Sequence, residues 1–122
     1  MQTWRYICLV VREQRTLFIG LIWIHVLVHV SHEPIYCLAM MDELKHHGYR
    51  IGPGTLYPLL HGLEKSGLLE STIKEVGRRK RRMYTITAIG RKALSETRIK
   101  VDELHDVIHE SHPRRTSRKS EL

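Results

Sequence analysis

The stretch from Ile51 to Leu69, IGPGTLYPLLHGLEKSGLL, constrains the fold more than any other part of the chain. Leu56, Leu59, Leu60 and Leu63 recur at three- and four-residue steps, the spacing of one helical face. The same stretch holds Pro53, Gly54, Pro58 and Gly62, residues that weaken a helix. On a wheel of about 100° per residue the leucines form one arc. Gly54, Pro58, His61 and Lys65 lie almost opposite, with Tyr57 at the flank. Pro53 falls at the first helical position, where its missing N–H costs little. Pro58 is deeper, and its ring meets the carbonyl of Gly54, where no side chain resists a local bend. The outward face is therefore low in bulk and adjoins a helix N-terminus with partial positive charge. Such a face suits close approach to the major groove of a duplex.

The neighbouring segments supply the rest of a fold. Residues 1–14 mix Trp4, Tyr6 and Ile7 with arginines and read as a short helix or a loosely docked arm. A first helix is expected over Arg15 to Ser31, stopped by Pro34. A second is expected from about Ile35 to His47, with Gly48 as its C-cap, and a third over Pro53 to Ser66, closed by Gly67. Leu68 to Lys74 and Arg81 to Ile86 read as two strands joined by a basic tip, EVGRRK. Thr87 can N-cap a last helix from Ala88 to about Glu110, striped by Ile89, Ala93, Thr97, Val101, Leu104 and Ile108. The expected organisation is an arm (1–14), a winged-helix domain (15–87), a dimerisation helix (88–110) and a basic flexible tail (111–122). The fold class is mostly α with a small β-hairpin, a winged helix-turn-helix.

Charge narrows the partner. The chain of 122 residues carries a formal net charge of +7, with a pI near 9.7. On one small domain this favours a polyanion. Lys74, Arg78, Arg79, Lys80, Arg81 and Arg82 crowd the hairpin against one acid, Glu75. Charge runs are often solvated loops, but this one directly follows the candidate recognition helix. The expected duplex-DNA contacts are Gly54, Thr55, Tyr57, Pro58, His61 and Lys65 from the helix, and Arg78, Arg79, Lys80 and Arg81 from the wing.

A membrane partner is not expected. The apolar run Leu17 to Val30 spans 14 residues and contains His25 and His29, short of the roughly 20 residues that cross a bilayer. It reads as a helix buried in the core or between subunits. With no nucleophile–base pair and no phosphate loop, the chain is not read as an enzyme.

The motifs EPIYCLAMMDELKHHGYRIGPGTLYPLLHGLEKSGLL and GRRKRRMYTITAIGRKAL resemble the PadR family of bacterial transcription regulators. The resemblance covers Arg15 to about Leu104. Cys37 stands where that family usually has glycine, Gly52 replaces a serine N-cap, Gly62 replaces a basic residue, and the wing lacks a proline. The resemblance implies a cytoplasmic homodimeric DNA-binding regulator, usually a repressor, on a roughly palindromic operator, with a possible small-molecule effector. It also implies dimerisation through the last helix and the partner's N-terminal helix, here Leu21, Trp23, Ile24 and Leu27 with Val101, Leu104 and Ile108. The competing reading is a winged-helix protein-interaction module whose basic wing is incidental.

Three residue types invite further chemistry. His25, His29 and His32 share one helical face, and His105, His109 and His112 repeat that step. If the faces met, with Asp106 or Cys37, they could hold a metal. Asp102 and Asp106 offer these histidines ordinary polar partners, so no metal or cofactor is assigned. Some members of that family bind flat aromatic drugs between the tryptophans of a dimer, but Trp23 is expected here to pack in the core or interface. Cys8 and Cys37 form no CxxC pair and read as reduced thiols.

Overall fold

Between residues 2 and 19 there is neither proline nor glycine to stop a helix. In a computed structural model of the chain, which describes residues 2–110 and their side chains from residue 13 onward, helix α1 accordingly runs unbroken over Gln2–His32. No boundary falls at residue 14, so the expected separate arm is replaced by one long helix. The expected tail, 111–122, lies outside the described residues.

After Pro34, Ile35–Tyr36 form a short strand, β1, where a helix start was expected. Proline favours an extended entry, and the strand β3 (Arg79–Ile86) offers its edge: Ile35 pairs with Tyr84 and Tyr36 with Met83. Helix α2 (Cys37–His46) then begins with Tyr36 as its extended N-cap residue. Helix α3 is Pro53–Lys65, strands β2 and β3 are Leu69–Val76 and Arg79–Ile86, and α4 is Ala88–Ile108. The sheet is antiparallel in the order β1-β3-β2. Only Gly77 and Arg78 form the hairpin turn. Arg79 and Lys80, expected in a loop, are strand residues paired with Val76 and Glu75.

The turns on either side of α3 share one construction. Gly48 and Gly67 adopt φ of 90° and 84°, a region that favours glycine. Tyr49 N–H bonds the Leu44 carbonyl and Gly48 N–H that of Lys45; Leu68 and Gly67 repeat this on Leu63 and Glu64. Both α2 and α3 thus end in the Schellman pattern. These stops fix the turn before α3 and the root of the wing after it.

One core joins the elements. Ile22, Val26, Leu27 and Val30 of α1 meet Met40 and Leu44 of α2, Leu56, Leu60 and Leu63 of α3, Leu69, Tyr84 and Leu94. Leu59, expected in the core, is half-buried at its margin. Glu13–His32 is by length and composition apolar enough to cross a membrane, longer than the run read from the sequence. Four of its residues are nonetheless built into this core.

Thr87 ties α4 to the base of the wing. Its hydroxyl donates to the carbonyl of Gly67 (2.6 Å) and accepts from Gly90 N–H (2.9 Å), while its own N–H reaches the Leu68 carbonyl (3.1 Å). Thr87→Ala removes the hydroxyl's bonds to the Gly67 carbonyl and from Gly90 N–H and should lower stability by about 1–2 kcal/mol. Urea denaturation checks this, and Thr87→Ser should recover most of the loss. An unchanged midpoint in the alanine variant would remove the cap from the account.

Candidate nucleic-acid interface

Helix α3 presents its outer face to solvent. Leu56 and Leu60 are fully buried and Leu63 nearly so, whereas Gly54, Thr55, Tyr57, Pro58, His61, Gly62 and Lys65 are exposed. The helix continues through Pro58. Its N-cap, Gly52, offers no side-chain bond, and the Gly52 carbonyl accepts from Thr55 and Leu56 N–H. Pro53 has no N–H, and no capping side chain competes for the Gly54 amide, which suits that amide to an anion.

The exposed residues divide between two sides. Tyr57 faces the wing, lining with Cys37, Ile73 and Arg79 to Arg82 a cleft of about 350 Å³. Thr55, Pro58 and Gly62 border a second groove, of about 480 Å³, against Ile19 and Trp23 of α1. By helical phase Gly54, His61 and Lys65 form the ridge between them. The expected helix contacts are thus one surface with two flanks. Arg78 sits at the turn, Arg79 and Lys80 are exposed, and Arg81 is half-buried.

Arg82 has a different task from its neighbours. Its guanidinium donates to Ser71 Oγ (2.9 Å), and that hydroxyl donates to Glu64 Oε2 (2.6 Å). This relay fastens the wing to α3 and holds the two elements in register with one another. Sequence periodicity did not reveal it, because its members lie seven and eleven residues apart on different elements.

Cys37 lies under Tyr57. Burial pushes the thiol above its ordinary pKa, against the opposing effect of a hydrogen bond with the Tyr57 hydroxyl. A thiol held neutral is a poor nucleophile, so the site gives no support to a redox role for Cys37. Tyr57 is also raised, first by the Cys37 charge, then by burial. It remains a neutral phenol that can donate and accept.

The surface read as an interface between subunits lies elsewhere. Val101, Leu104 and Ile108 of α4 are exposed, and Leu21, Trp23 and Ile24 are half-buried. Leu27 differs: it is wholly enclosed by its own chain and has no surface left for a partner, because its face of α1 packs inward. Among the described residues the two histidine faces do not meet. His25 and His29 instead gather with His47, at the end of α2. His105 stacks on His109, and His112 lies outside the described residues.

Comparison with known proteins agrees with this arrangement. The profile of the transcriptional regulator PadR-like family matches residues 26–96, from the core of α1 into α4. Transcriptional regulator Rv3488 of Mycobacterium tuberculosis is 46% identical over 81 residues, covering 66% of this chain and 76% of that one. A PadR family transcriptional regulator from Eggerthella lenta superposes with a TM-score of 0.73 at 33% identity, over 85% of this chain and 92% of that one. A PadR-like transcription factor from Bacteroides fragilis gives 0.71 at 26% identity, over 80% and 95%. With the signature residues placed on a helix, a wing and the joint between them, the chain belongs to the PadR-like family of transcriptional regulators.

Proposed function

We propose that this regulator is a cytoplasmic, non-enzymatic repressor that binds a palindromic operator as a homodimer. The observation that carries the reading is the continuity of the exposed α3 face with the basic wing, joined by the Arg82–Ser71–Glu64 relay. In each subunit α3 enters the major groove, Tyr57 and His61 meet base edges, and Lys65 reaches phosphate. Arg78, Arg79, Lys80 and Arg81 hold the flanking backbone. The exposed apolar side of α4 supports dimerisation: Val101 and Leu104 form with Ile24 an open groove of about 730 Å³. Two-fold pairing there spaces the recognition helices about 34–36 Å apart. A bound effector would act by changing the angle between the two heads.

Selection of bound DNA from a random pool tests the reading. The expected product is a two-half-site sequence with one helical turn between centres. Tyr57→Ala should then flatten base preference at one position per half-site, with a loss of about 1–3 kcal/mol of discrimination. No enrichment from the pool, with salt-independent capture of a protein instead, would return the winged helix to the protein-interaction class. An unchanged preference in the variant would remove Tyr57 from base readout.

A further inference from the structure

The histidine cluster on α1 and the α2–α3 turn is not used by the DNA-binding surface. His25 and His29 are one helical turn apart on α1, and His47 is the C-cap residue of α2. Each offers a ring nitrogen, and these nitrogens lie within 4.8 Å of one another. Ring centroids are separated by 4.6 Å for His25 and His47, 5.7 Å for His29 and His47, and 6.3 Å for His25 and His29. Tyr49 packs edge-on against His25 at 5.3 Å, limiting how that ring can turn.

Three imidazoles at this spacing repel one another when protonated and cooperate when neutral. The carboxylate-paired histidines among the described residues are elsewhere, His46 beside Asp42 and His105 beside Asp106. What remains at the cluster is a set of three ring nitrogens converging from two elements.

We infer that His25, His29 and His47 form a three-imidazole site for a divalent transition metal of the zinc class. A tetrahedral ion with nitrogens about 2.0–2.1 Å away holds those nitrogens roughly 3.3 Å apart. Small side-chain rotations close the remaining distance, and His47 is exposed and able to move. Nitrogen donors without carboxylate favour zinc, copper, nickel or cobalt over magnesium and calcium. The fourth position is left for water or an exogenous donor. A bound ion links α1 to the turn that leads into α3, so occupancy stiffens the support of the recognition helix.

The test uses the full chain without a histidine tag, treated with chelator and titrated with zinc by calorimetry. Cobalt binding, followed by visible absorption, reports tetrahedral geometry. The expected result is one ion per chain, with affinity at least about tenfold weaker in His25→Gln and in His47→Gln and unchanged in His46→Gln. Zinc should also raise the melting temperature and slow amide exchange in residues 47–52 of the unaltered chain. Circular dichroism of each metal-free variant confirms that it is folded. Failure of the folded, unaltered chain to take up zinc overturns the site. So does undiminished affinity in the folded His25→Gln/His47→Gln double variant.

Discussion

Gly90→Ala should destabilise the chain by about 3 kcal/mol, at the upper end of what overpacking costs, and lower its melting temperature by roughly 10 °C. Local propensity predicts the opposite sign, since alanine is the better helix former by about 1 kcal/mol. Packing decides the matter. A Cβ at Gly90 would stand 2.2 Å from the Leu68 carbonyl oxygen and 2.7 Å from Ile86 Cγ1. Ile86 can shift, but the Leu68 carbonyl is backbone, tied by the Thr87 N–H. Relief therefore requires moving the start of α4 away from the wing root, with loss of the Thr87 bonds. Gly62→Ala is the matched control: it is also helical, but nothing lies within 4 Å of its added carbon. It should stabilise the fold by about 0.5–1 kcal/mol. Thermal melts of the two variants make the comparison, and equal melting temperatures for Gly90→Ala and the unaltered chain would show that α4 does not need this close approach.

Arg79→Ala combined with Arg81→Ala should weaken operator binding by about tenfold or more at low salt, and by less as salt rises. If each guanidinium neutralises one phosphate, the slope of log affinity against log salt should fall in magnitude by up to about 1.8 units. Strand alternation puts these two side chains on one face of the wing, and neither is held in the relay that occupies Arg82. Their removal takes charge from the wing while leaving its attachment to α3 in place. Binding measured at several salt concentrations separates the alternatives. A weaker complex with an unchanged slope would mean that these arginines shape the wing rather than neutralise phosphate.

Much of the candidate site was legible in the sequence because the outward face of α3 depends on local periodicity. The leucines of α3 give its inward face, so its outward residues follow by elimination. Gly48 and Gly67 mark helix ends for a reason that acts within a few residues. Thr87 was recognisable as a cap because its partner is three residues away.

What periodicity missed depends on contacts across the chain. The Ile35–Tyr36 strand exists because β3 supplies a partner almost fifty residues later. The enclosure of Leu27 follows from which side of α1 meets α2 and α3, and an all-apolar run does not reveal that side. His47 joins His25 and His29 only because the end of α2 folds back beside α1. Gly90 could be matched to the family signature, but its need for a bare backbone follows from the proximity of Leu68. The extension of α1 to Gln2 was obscured by the mixed composition of its first turns, where helix breakers are nonetheless lacking.

The joint at Thr87 and Gly90 gives α4 the mechanics of a lever. Gly90 to Ile108 spans about 27 Å of rod past the fulcrum, and beyond Thr97 every described residue of α4 is exposed. A tilt of roughly 10° at the joint would displace the tip by about 5 Å over that length, more than the rise of one base pair. With the tip gripped, the same rotation would swing α3 and the wing instead.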